Sequence, residues 1–142
     1  MLNMNHSTAV RRTLTVLLAI VATLAVWTVE TYLLGIDLRA RPVPGAAPEV
    51  VGPLAVASAT LLAGLVAWAL LAILERLTPS ARTVWVAVGV VALLLSLAAP
   101  LNGAVTATAA IGLATMHVVA AAILIPLLAR SIRGVTTPGA RR

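Results

Sequence analysis

The sequence predicts an all-α membrane protein, a four-transmembrane-helix bundle with both termini cytoplasmic, and three observations carry that prediction. The 142 residues are 61% hydrophobic and 10% charged, with a mean hydropathy of +1.09, whereas a soluble domain is about 45–50% apolar and about 25% charged. The apolar residues fall into four long runs, and about 20 such residues in a helix cross the hydrocarbon core of a bilayer. Arginines, prolines and glycines separate the runs, as residues that end a span do.

Residues 1–12 read as a cytoplasmic leader closing on Arg11 and Arg12, and the membrane domain as 13–133. The first span is expected at about 14–35. A signal peptide also opens with basic residues, but its apolar region is about 7–15 residues and ends at small side chains. Here the run is longer, and Trp27, Glu30 and Tyr32 occupy the place of a cleavage site, so the span is read as retained. The loop 36–52 contains Pro42, Pro44, Gly45 and Pro48. Those residues oppose helix, and the loop is expected to be solvated and extracytoplasmic.

The second span is expected at about 53–75, with Pro53 in the first helical turn, where a missing N–H is tolerated. Glu75 and Arg76 end it, and Thr78-Pro79-Ser80 makes a turn in which Ser80 can cap the next helix. The third span is expected at about 83–99, stopped by Pro100-Leu101-Asn102-Gly103. The fourth is expected at about 104–129, followed by Arg130 and Arg133, with 134–142 a disordered cytoplasmic tail.

Arginine placement sets the expected orientation. Arg11, Arg12, Arg76, Arg82, Arg130, Arg133, Arg141 and Arg142 fall on one side of the spans, and Arg39 and Arg41 on the other. By the positive-inside rule this places both termini in the cytoplasm, in a bacterial plasma membrane. The net charge of +6 therefore reads as a topology signal, with no nucleic-acid partner. The chain has no cysteine, so disulfides, thiolate metal sites and thiol redox chemistry are excluded. No Gly-rich phosphate loop, HExxH or Ser-His-Asp pattern is present, so the sequence points to no cofactor or metal and leans away from an enzyme.

Two ionisable side chains lie inside the apolar runs, Glu30 in the first and His117 in the fourth. Such groups face a bundle interior, pair with each other, or mark a pathway. Glu30 shares a helix stripe with Val26, Thr23 and Ala19. His117 shares one with Ala110, Ala114 and Ala121, and the second span offers Ala55, Ala59, Ala63 and Ala67 at every fourth position. Small residues let helices approach closely, so spans two and four are expected to meet along these stripes. At the depth of Glu30 the other spans present Ser58, Ser96 and Thr108, with Asn102 and Thr106 above, a possible polar layer. Counting about 1.5 Å per residue puts Glu30 and His117 about 9 Å apart in depth, so they are treated as two sites.

The stretches Leu95-Ser96-Leu97-Ala98-Ala99-Pro100-Leu101, Thr115-Met116-His117-Val118-Val119 and Ile125-Pro126-Leu127-Leu128-Ala129-Arg130 resemble an actinobacterial family of small four-span integral membrane proteins of unknown function. The resemblance implies a four-helix membrane domain from Leu14 to Arg130 and no known activity. The expected function is a structural or partner-binding unit whose partners are the lipid bilayer and a second copy or another membrane protein. The alternatives are a small oligomeric proton-linked transporter or channel using Glu30 and His117, and a membrane subunit of an enzyme or sensor complex.

Overall fold

A computed structural model describes residues 2–132 of the chain, with side chains from Ser7 onward, so the expected tail 134–142 lies outside the described residues. Four helices are long and apolar enough to cross a membrane: Ser7–Leu33, Pro53–Leu77, Ala81–Gly103 and Ala107–Arg130. Helix α1 (Leu2–Thr28) starts within the leader and continues into a π-helical turn at Val29–Leu33. Helix α2 (Pro53–Leu77) begins on its proline, as N-terminal geometry favours. Helices α3 (Ala81–Ser96), α4 (Ala98–Gly103) and α5 (Ala107–Arg130) follow.

Helix ends differ from the expectation at three places. The third span does not stop at Ala99, because the chain turns at Leu97 and stays helical to Gly103. Pro100 falls in the first turn of α4, where a backbone N–H has no intrahelical carbonyl to reach, so its missing donor costs nothing. The fourth span consequently starts at Ala107, capped by Thr106, whose Oγ1 accepts from the Ala109 N–H at 3.1 Å. Ser80 makes no side-chain cap on α3. Instead Thr78 Oγ1 accepts from the Ser80 N–H at 3.2 Å, fixing the turn from the other side.

The core is organised along α1. Arg12, Val16, Ala19, Thr23, Trp27 and Glu30 are all buried, and their spacing of three or four residues keeps them on one face. Helix α2 lays Val56, Thr60, Gly64 and Leu71 against the bundle. A Cβ on Gly64 would lie 2.7 Å from Val16 Cγ1, so glycine is what lets α2 seat on α1 there. From α5 come Ala109, Gly112, Leu113, Met116, Leu124 and Leu128. Helix α3 rests on α5, where Trp85 Nε1 donates to the Ile125 carbonyl at 2.9 Å, beside Pro126. A Cβ on Gly89 would meet Ile125 Cγ1 at 2.9 Å, so indole and glycine receive the same isoleucine. Outward, Leu14, Leu17, Leu62, Leu94 and Ile111 are exposed, as side chains facing lipid would be.

The loop 36–52 is not merely solvated. Strand β1 (Arg39–Ala40) pairs antiparallel with β2 (Glu49–Val50), Arg39 opposite Val50 and Ala40 opposite Glu49. The Arg41 N–H donates to the Gly103 carbonyl at 2.8 Å and the Val105 N–H to the Arg39 carbonyl at 3.1 Å, tying this loop to the α4–α5 connection. Leu38 is thereby pressed into the bundle at 3% exposure, in one apolar cluster with Trp27, Val56, Ala109, Leu113 and Met116. Pro42, Pro44 and Pro48 lie between the strands and stay exposed, where they interrupt no ladder.

Candidate functional site

Glu30 sits where the α1 ladder widens. The Leu34 N–H donates to the Val29 carbonyl at 3.0 Å and the Ile36 N–H to the Glu30 carbonyl at 2.9 Å, spacings of five and six residues. π-Helical turns of this kind recur at functional sites. Gly35, at φ +64°, then reverses the chain in a conformation that disfavours other residues. The Glu30 side chain turns inward to 6% exposure. Its Oε2 and the neighbouring Thr31 Oγ1 are buried with no hydrogen-bond partner among the described residues. A Cβ on Gly112 would lie 2.9 Å from Glu30 Oε2, 3.1 Å from its Cδ and 3.0 Å from Leu38 Cδ2. The carboxyl group is thus held between α5 and the loop residue Leu38.

His117 is half-buried five residues further along α5 than Gly112, about 7.5 Å at helical rise. Its Nδ1 lies 2.8 Å from the Leu113 carbonyl. In the tautomer that donates through Nδ1, Nε2 is an acceptor. His117 lines a cleft of about 280 Å³ between α2 and α5, with Ala55, Ala59 and Ala63 on one side and Leu113, Met116 and Ala120 on the other. Thr23 and Thr60 also line it, their hydroxyl oxygens 3.2 Å apart across α1 and α2. Glu30 lines neither this cleft nor the larger cavity at the other end of the bundle.

The small-residue stripes do not meet as expected. Ala55, Ala59 and Ala63 are exposed, Ala67 is half-buried, and Ala110, Ala114 and Ala121 are half-buried. The buried seam of α2 lies one residue round, at Val56, Thr60 and Gly64, and it packs on α1. Glycine permits a closer approach than alanine, and the threonine pair adds an interhelical hydrogen bond. Ala55, Ala59 and Ala63 are left facing the cleft.

The proposed polar layer does not gather around Glu30 either. Ser58 Oγ donates to the Ala55 carbonyl at 3.1 Å, Ser96 Oγ to Leu93 at 2.8 Å and Asn102 Nδ2 to Ala98 at 2.7 Å. Thr108 Oγ1 is 3.1 Å from Thr106 Oγ1. Each group is satisfied on or beside its own helix, the usual resolution for short polar side chains in apolar surroundings. None is then required to turn inward.

Sequence reasoning missed a second polar cluster. Arg12, 5% exposed, donates from Nη2 to Glu75 Oε1 at 2.7 Å and from Nε to Ser131 Oγ at 3.0 Å. One guanidinium therefore joins α1, α2 and the end of α5. The available signal was Glu75 itself, the single acid among the arginines expected on that side.

Among the described residues no group of His, Cys, Asp or Glu is arranged to hold a metal ion. No curated protein matches the chain, and no solved structure matches it. A model of a family of unknown function, DUF6069, matches residues 4–134. Covering nearly all of the four-helix domain, that match shows that the chain belongs to the DUF6069 family.

Proposed function

We propose that the protein is a structural, partner-binding unit of the bacterial plasma membrane, with both termini cytoplasmic, that receives a transmembrane helix of another membrane protein in the α2–α5 cleft. The observation carrying this reading is the exposed row Ala55, Ala59 and Ala63 facing His117 across the cleft. A helix can come close to a row of small residues, and an intramembrane hydrogen bond to His117 Nε2 would add about 0.6 kcal/mol, at most about 1.7. Among the described residues, Arg11, Arg12, Arg76, Arg82 and Arg130 stand at one end, and Arg39 and Arg41 at the other, where Arg39 pairs with Asp37 at 2.9 Å. That bias supports the orientation.

A proton-linked pathway would be supported by a cavity shared between Glu30 and His117. Neither the α2–α5 cleft nor the larger cavity at the other end of the bundle is lined by both residues, and the partner-binding reading rests on the alanine row instead. If the helix received belongs to a catalytic or sensory chain, this protein is the membrane subunit of that complex.

Because the chain has no cysteine, Ala59→Cys introduces a unique thiol into the cleft. Thiol cross-linking in native membranes is expected to give one discrete adduct for Ala59→Cys, weakened by adding His117→Ala, and none for Leu94→Cys on the exposed face of α3. No adduct from Ala59→Cys, or equal yields from both positions, would overturn the proposal. An adduct of twice the chain mass would identify a second copy as the occupant instead.

A further inference from the structure

At the Arg12 end of the bundle, α1, α2, the α2–α3 turn, Ala81 and Ile132 line an open cavity of about 610 Å³. That volume lies within the range of small-molecule sites, roughly 300–1,000 Å³, and a free phosphate ion would leave most of it empty. Its polar lining comes from Thr8, Arg12, Glu75, Arg76 and Thr78, and its apolar lining includes Trp68 and Ala72. Trp68 lies eight residues from Arg76 along α2, about 12 Å deeper into the span. The cavity is therefore charged at its mouth and apolar below, beside a helix surface that faces lipid.

Two of the lining charges are fixed. Arg12 is buried, and its bonds to Glu75 and Ser131 hold the guanidinium in place against the cavity wall. The same Glu75 oxygen that takes the 2.7 Å bond is opposed by Arg12, so the carboxylate's charge is locally offset. Arg76 is exposed and carries the charge in excess. Two guanidinium groups against one carboxylate favour an anionic ligand, and arginine's planar fork of donors matches phosphate oxygens. Basic pockets between transmembrane helices at this level take lipid head groups.

We propose that this cavity binds a phosphate group, supplied by an anionic phospholipid whose acyl chains lie along Ala72 and Trp68. Arg76 faces the phosphate from the mouth and Arg12 from the wall. A soluble phosphoester would use the same arginines without the apolar part of the cavity. The ordinary alternative is that arginines here only set topology, in which case their positions around the cavity are interchangeable. Arg130 tests this, because it is exposed near the same end and does not line the cavity.

The experiment is thermal melting of the full chain in a neutral detergent, titrated with phosphatidylglycerol, phosphatidylcholine, glycerol phosphate or inorganic phosphate. Phosphatidylglycerol is expected to raise the melting temperature saturably. Arg76→Gln should weaken its apparent affinity about ten-fold, the loss of one charge-assisted bond, while Arg130→Gln should leave it within about two-fold. Stabilisation equal to that by the lipid would overturn the lipid assignment, in favour of a soluble phosphoester if it comes from glycerol phosphate alone and of the free phosphate ion if inorganic phosphate does the same. Equal loss in both arginine variants, equal stabilisation by phosphatidylcholine, or no stabilisation by any additive would overturn the site itself.

Discussion

The carboxyl group of Glu30 occupies the space that a side chain at residue 112 would fill. A Cβ on Gly112 would lie 2.9 Å from Glu30 Oε2, so glycine on α5 and glutamate at the end of α1 are two halves of one contact. Leu38 closes it from the loop side, 3.0 Å from the same Cβ position.

Gly112→Val is expected to destabilise the detergent-solubilised protein by roughly 1–3 kcal/mol, the range for overpacking a closed site. Combining it with Glu30→Ala should recover part of that loss, since the truncation vacates the space. Thermal melting of both single variants and the double variant measures the coupling, and strictly additive losses would show that the two residues do not share this space.

Removing one partner of the Arg12–Glu75 pair should cost more than removing both. Glu75→Ala leaves a buried guanidinium without its carboxylate, at about 3 kcal/mol, the low end for buried pairs because Glu75 is 26% exposed. Arg12→Met with Glu75→Leu should lie nearer to the parent protein. By contrast, the Arg39–Asp37 pair is 47% and 67% exposed, and Asp37→Asn should leave melting unchanged within error.

Trp85→Phe keeps most of the ring against α5 but deletes the donor to the Ile125 carbonyl. A loss of about 1 kcal/mol is expected, with looser seating of α3 read as faster proteolysis in the α2–α3 turn. If melting and proteolysis are both unchanged, this hydrogen bond does not hold α3 in place.

Thr60→Val preserves shape and removes the hydroxyl that faces Thr23 at 3.2 Å. The expected cost is about 0.6 kcal/mol, as for interhelical hydrogen bonds in other membrane proteins. Thr23→Val in the same background should add little, and a double-variant loss equal to the sum of the singles would argue against the pair.

Much of the buried face of α1 was legible in the chain. Ala19, Thr23 and Glu30 share a stripe by spacing alone, and all three are buried. The end of the third span was not legible, because Pro100 reads as a breaker unless the turn at Leu97 restarts the helix before it. The alanine row on α2 was visible and its partner was not. One residue along a helix is about 100° of rotation, so Ala59 and Thr60 face different neighbours, and the choice between them depended on Gly64 meeting Val16. Leu38 carried no local signal, since its burial depends on backbone bonds from Arg39 and Arg41 to Val105 and Gly103, more than sixty residues away.

Four membrane-length helices follow from composition, because the free energy of transferring a segment to hydrocarbon is close to a sum over its own residues. Contacts are not such sums. That Glu30 lies against Gly112, that Arg12 reaches Glu75 and Ser131, and that His117 borders an open cleft each depend on how helices distant in sequence are rotated against one another. Those rotations were settled by close approach at glycines and by hydrogen bonds between helices, which exist only once the bundle has assembled.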